Sequence, residues 1–124
     1  MAEAAAGAAG EHKAECVVLL SIRSVSVIAD YFVICTGLST KHLQAVVDAV
    51  DERLDQLGVR FLRKEGKAET GWVLLDYGSV ICHVFSREAR EFYDLERLWG
   101  DVPIARVNGA VNKPAEGGLT FDHA

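Results

Sequence analysis

The sequence has no excess of basic residues, no long apolar run, few cysteines and none of the glycine-rich loops that cradle phosphates. Each absence removes a class of function. With 18 acidic against 13 basic residues and a formal charge of -5, the chain lacks the cationic surface that neutralises phosphates. Little direct nucleic acid binding is expected, and a basic protein patch is the more natural partner. No apolar stretch approaches the roughly 18 to 20 residues that cross a bilayer, so no membrane role is expected. Met1 to Gly10 is rich in Ala and Gly, without the basic start and apolar centre of a secretory signal or the Arg and Ser of a transit peptide. The cytoplasm is the expected location. The three cysteines, Cys16, Cys35 and Cys82, are odd in number and form no C-x-x-C pair. Lying in apolar runs, they are expected to be buried free thiols in a reducing compartment.

Signatures of chemistry are equally scarce. His12, His42, His83 and His123 have no neighbouring ligands at metal spacing, so no metal is expected. Ser39, in Gly37-Leu38-Ser39-Thr40-Lys41, lacks the second glycine of a nucleophile elbow. Gly66 and Gly71 have the wrong spacing for a dinucleotide or phosphate loop and precede a strand. A nucleotidyl transferase would need a Gly-Ser element, which Gly37 and Ser39 resemble, and paired carboxylates on a following strand to hold Mg²⁺. Asp76 is followed two positions on by Gly78, and Asp48 and Asp51 fall in a helix. The chain is therefore expected to be no enzyme and to carry no cofactor.

What is present is a core. Half of the 124 residues are hydrophobic and a quarter are charged, the composition of one ordinary globular domain. Met1 to His12 and Asn108 to Ala124 read as flexible tails around a folded part, 13–107. Cys16 to Ile22 and Tyr31 to Thr36 are short β-branched and aromatic runs that predict buried strands. Ser39 or Thr40 then caps a helix from about Lys41 to Leu57, whose stripe of Leu43, Val46, Val47, Val50, Leu54 and Leu57 packs on the sheet. Gly58 stops it. Asp48, Asp51, Glu52 and Asp55 read as its solvated face. A strand is predicted over Val59 to Arg63, then a hairpin of Trp72 to Tyr77 and Val80 to Phe85 joined by Gly78-Ser79. Ser86 caps a second helical region running through Phe92, Leu95 and Trp99, with Asp94 capping its second turn. The predicted fold class is α/β or α+β: a mixed sheet flanked by helices.

Pairing about Gly78-Ser79 sets Trp72 opposite Phe85 and Tyr77 opposite Val80, which fixes the two faces of the hairpin. Val73, Leu75, Tyr77, Val80, Cys82 and Val84 form an apolar face suited to pack on a helix. Trp72, Leu74, Asp76, Ile81, His83 and Phe85 form the other. If a helix covers this second face, Trp72 is ordinary core, and Asp76 and His83 both need partners. If it is open, Trp72, Leu74 and Phe85 make an apolar patch with a polar margin, as interaction sites do. A patch of that kind also allows the free chain to form a homodimer.

Four ordered motifs carry a resemblance that spans nearly the whole folded part: Ala29-Asp30-Tyr31-Phe32-Val33-Ile34-Cys35-Thr36-Gly37, Arg63-Lys64-Glu65-Gly66, Trp72-Val73-Leu74-Leu75-Asp76-Tyr77-Gly78, and Glu91-Phe92-Tyr93-Asp94-Leu95-Glu96-Arg97-Leu98-Trp99-Gly100. Together they resemble the ribosomal silencing factor family, RsfS or Iojap-like. The resemblance implies a topology similar to nucleotidyl transferases without their catalytic carboxylates. It implies binding to the large ribosomal subunit through large-subunit ribosomal protein 14, steric block of small-subunit joining and lowered translation, or a role in large-subunit assembly. Carried over by motif, the partner-binding residues are Trp72, Leu74, Asp76 and Tyr77, with Glu65, Tyr93 and Trp99 beside them. Face analysis favours Trp72, Leu74 and Asp76, since Tyr77 points to the opposite face. Family members usually have a helix before the first strand, and here Met1 to Gly10 replaces or dilutes it.

Overall fold

A computed structural model describes residues 1–99, 102–107 and 121–123. In chain order the elements are α1 (Ala2–Glu11), β1 (Glu15–Ser21), β2 (Tyr31–Gly37), α2 (Thr40–Gln56), β3 (Arg63–Glu65), β4 (Trp72–Asp76), β5 (Val80–Ser86), α3 (Arg87–Tyr93), α4 (Leu95–Leu98), β6 (Pro103–Val107) and β7 (Phe121–His123). A 3-10 turn at Ala68–Thr70 leads into β4. Among the described residues the strands form one sheet in the order β3-β4-β5-β2-β1-β6-β7. β2 and β5 pair parallel, while β1 pairs antiparallel with both β2 and β6 and β4 pairs antiparallel with β5. The expected mixed sheet with flanking helices is the observed fold.

Burial on both faces explains the unbroken apolar runs of β1 and β2. Val17, Leu19, Val33 and Cys35 join a core under α1 and α2, whereas Val18, Leu20, Phe32 and Ile34 join a second core on the reverse of the sheet. Helix α2 starts where Ser39 Oγ accepts from the His42 backbone N–H at 3.0 Å. It buries Leu43, Val46, Val47, Val50 and Leu54 and ends before Gly58, whose φ of +80° no β-carbon favours. Leu57, the last of the expected stripe, caps the helix and is exposed.

Five expectations need correction. Met1 to His12 is no tail: Ala2–Glu11 is helical, with Ala5, Ala6 and Ala9 fully buried. Alanine has the highest helix propensity, and its short side chain lets α1 lie close on β1, β2 and α2. Glu11 pairs with Arg53 of α2. His42 fixes the next turn, accepting from the Leu38 N–H at Nδ1 (2.9 Å) and donating from Nε2 to the His12 carbonyl (2.8 Å). Second, Cys16 is exposed, because a bulge between Glu15 and Val18 turns it out at φ +48°. Cys35 and Cys82 are buried free thiols, as expected, and burial pushes the Cys35 thiol up to about 12.

Third, the strand expected over Val59 to Arg63 forms as β3 over Arg63–Glu65. Pairing begins only where the Leu62 N–H reaches the Asp76 carbonyl at 2.7 Å, and Phe61 and Leu62 remain exposed. Fourth, the second helix breaks at Asp94, which sits at φ +44° between α3 and α4 and makes no side-chain cap bond. Ser86 does cap α3, accepting from the Ala89 N–H at 3.1 Å. Fifth, Pro103–Val107 is a strand, and Phe121–His123 pairs with it inside the expected C-terminal tail. The rest of that tail lies outside the described residues.

Candidate protein-docking site

The hairpin has the register read from the sequence: Trp72 faces Phe85, Leu74 faces His83 and Asp76 faces Ile81. Gly78 opens the turn at φ +91°, and the Asp76 Oδ1 accepts the Gly78 N–H at 2.8 Å. The all-apolar face is buried throughout under the helices, Val73, Leu75, Val80, Cys82 and Val84 included.

The reverse face is divided. His83 and Phe85 are buried beneath α3 and α4, while Trp72, Leu74, Asp76 and Ile81 are half-buried. Neither full cover nor full exposure describes it. Tyr93, at the end of α3, brings its ring centroid to 4.5 Å from that of Trp72 and 6.1 Å from that of Phe85, which itself lies 4.9 Å from Trp72, so the three rings form one cluster. The indole N–H of Trp72 donates to Nδ1 of His83 at 3.2 Å. That bond places the imidazole proton on Nε2, which is buried with no partner among the described residues. Burial pushes His83 down to about 4, so the ring is neutral at physiological pH.

Beside this aromatic cluster runs a groove of about 290 Å³ lined by Glu65, Gly66, Thr70, Trp72, Leu74 and Tyr93. Gly66 is obligatory there. At φ +86° a β-carbon would stand 2.1 Å from the Trp72 carbonyl oxygen, so only glycine lets the chain pass from β3 over the start of β4.

The structure thus unites Trp72, Leu74, Glu65 and Tyr93, and it separates the remaining candidates. Asp76 shares the face but does not line the groove and is engaged locally by the Gly78 N–H; Arg63 meets both Asp76, at 3.5 Å, and Glu65, at 3.4 Å. Tyr77 does not reach the groove: it is buried on the opposite face, and its hydroxyl donates to Asp51 Oδ1 on α2 at 3.1 Å. Burial and the adjacent Asp51 carboxylate both raise its pKa. Trp99 lies outside the groove, packed edge to face on Phe32 at 5.5 Å.

Gly66 and Thr70 were not readable as site residues, although a glycine after a charged strand signals close backbone approach. Arg90 gave less signal still. Its guanidinium, 11% exposed, binds Glu96 through two bonds of 3.0 and 2.8 Å and Thr36 Oγ1 at 2.9 Å, tying α3 and α4 to β2. Glu96 lies six positions on, beyond helical side-chain spacing, so the pair is invisible in the sequence. A larger cleft of about 520 Å³ behind α3 has Arg87, Arg90 and Arg106 on its wall. Arg87 and Arg90 are committed, to Glu15 and to Glu96. Among the described residues no three His, Cys, Asp or Glu side chains converge as a metal site. Nor is any helix among them long and apolar enough to cross a membrane.

The family model described as "Ribosomal silencing factor during starvation", RsfS, matches residues 1–119. The chain belongs to the RsfS family. The ribosomal silencing factor RsfS of Bacillus subtilis is 39% identical over 109 residues, covering 88% of this chain and 92% of that protein. A mouse protein named for mitochondrial assembly of the ribosomal large subunit is 41% identical over 73 residues, 56% of this chain and 32% of its own length. The crystal structure of a protein from Chromobacterium violaceum superposes with a TM-score of 0.76 at 30% identity, over 79% of this chain and 82% of that one. The RsfS match includes α1, which agrees with the helix found there.

Proposed function

We propose that this chain is a non-catalytic translational repressor of the cytoplasm that docks on the large ribosomal subunit and sterically blocks joining of the small one. Its seat is large-subunit ribosomal protein 14. The partner-binding residues are Trp72, Leu74, Glu65 and Tyr93, with Asp76 at the margin. The observation that carries this reading is the half-open aromatic cluster beside an acidic-edged groove: a rigid apolar anchor whose indole N–H is already bonded to His83, bordered by Glu65. Such a surface suits a protein with an apolar recess and basic residues. Asp76 is held by Gly78 and Arg63, and its face of the hairpin carries no second carboxylate. That speaks against the alternative of a metal-dependent nucleotidyl transferase. Sedimentation of ribosomal subunits with saturating protein tests the proposal. Subunits held apart are expected; normal joining overturns it.

A role in large-subunit assembly through the same surface is the second reading, favoured by the name of the mouse relative. Preference for immature over mature large subunits in a direct binding comparison would select it.

A further inference from the structure

The Trp72–Leu74 groove is small for its proposed task. Six residues line it, whereas a stable protein interface takes about 800 Å² and 20 to 30 residues from each side. A second groove, of about 870 Å³, lies between the start of α2 and α3 and shares Tyr93 and Thr70 with the first. Phe92 stands on its wall with its ring perpendicular to Tyr93 at 5.0 Å, so Trp72, Tyr93 and Phe92 form one aromatic ridge. Phe92 is 80% exposed and Leu38, across the groove, 50%. Singly exposed apolar residues need no explanation, but these are contiguous with the proposed anchor.

Charge identifies the occupant. Glu69 and Glu88 border the second groove and Glu65, which meets Arg63 at 3.4 Å, borders the first; the cation on the second groove's wall, Arg87, is bound to Glu15 by three contacts of 3.0 to 3.2 Å. An acidic rim repels phosphate and repels a second copy of itself. Resting on the docking reading above, we infer that the interface runs from the Trp72–Leu74 groove over Tyr93 and Phe92 to Leu38, and that it receives one folded protein face combining an apolar recess with a rim of lysine and arginine.

Co-sedimentation of the full chain with purified large subunits tests this, with thermal melts to show that each variant folds. Phe92→Ser is expected to weaken binding about tenfold and leave the melt unchanged, since its side chain is solvated. Leu38→Ser should weaken it less. Joint reversal of Glu69→Lys and Glu88→Lys should weaken it a further tenfold or so, roughly additively with Phe92→Ser. Wild-type affinity of Phe92→Ser overturns the extended surface, and tighter binding of the charge-reversed chain overturns the basic protein in favour of RNA phosphate. Trp72→Ala separates the two levels, with Leu74→Ala as a second probe that keeps the aromatic stack. Loss at Trp72 and Leu74 with none at Phe92 removes only the extension, whereas wild-type binding by all three removes the docking reading itself. Loss at Phe92 alone overturns the continuity of the ridge.

Discussion

The two faces of the sheet are built from the same strands and solve burial differently. Helices α1 and α2 close one face with aliphatic residues and alanine, leaving Val33, Val50, Leu54 and Leu75 without accessible surface. The other face is covered by the short α3 and α4, which bury none of their own residues fully. Aromatics fill what these helices leave, and the cluster of Phe85, Trp72 and Tyr93 runs out to solvent. A closed face supplies stability through dry, dense packing. A half-open face keeps a rigid anchor accessible, because flat rings stacked on one another hold their place without full enclosure. One face makes the fold and the other offers a surface.

Substitutions that separate these roles give the strongest tests. Leu54→Ala on the closed face should lose about 3 kcal/mol in urea unfolding, the sum of transfer and cavity terms for a fully buried leucine. The same variant, while folded, should bind large subunits as the parent does. Trp72→Ala reverses the pattern: about 2 kcal/mol or more lost in binding, seen as a thirtyfold or greater rise in Kd, with a smaller loss in unfolding because the indole is half-buried. Equal losses of stability and affinity in both variants would erase the distinction between the faces.

The closed face was largely legible and the open one was not, for a physical reason. Periodicity in Leu43 to Leu54 and the turn at Gly78-Ser79 are local signals, and the register of the hairpin follows by arithmetic once the turn is known. What covers the second face depends on contacts distant in sequence. The bond between Arg90 and Thr36 spans 54 positions, and the positive φ at Asp94 that redirects α3 into α4 leaves no pattern a side chain can announce. Alanine and glycine concealed α1, since their low hydrophobic contrast hides the buried stripe. Tyr77 sets two signals against each other: the motif suggests a contact, while the parity of the strand puts the ring on the closed face, where it is found.

His83 is where the two faces differ most in their response to pH. Its folded pKa of about 4 lies below the ordinary 6.5, so the native state binds fewer protons than the unfolded chain between those values. The stability this contributes is full above about pH 6.5 and is lost as pH falls through 4. By pH 5 the loss should be about 2 kcal/mol, measured by urea unfolding across that window. His83→Phe should flatten the dependence while leaving the Trp72 N–H without its acceptor, at about 1 kcal/mol near neutral pH. An unchanged slope in that variant would assign the pH dependence elsewhere.

The smallest effect is the one that most sharpens the comparison. Tyr77→Phe removes a single hydroxyl bonded to Asp51 on the closed face and disturbs no packing volume. The expected cost is about 1 kcal/mol of stability, near the usual net value of such a bond. Affinity for large subunits should not change, because the ring never reaches the groove. Tyr77 neighbours Asp76 in sequence, so it separates motif from geometry with the least perturbation. A drop in affinity with stability intact would place a docking contact on the face closed by α2, and would require that helix to move when the partner binds.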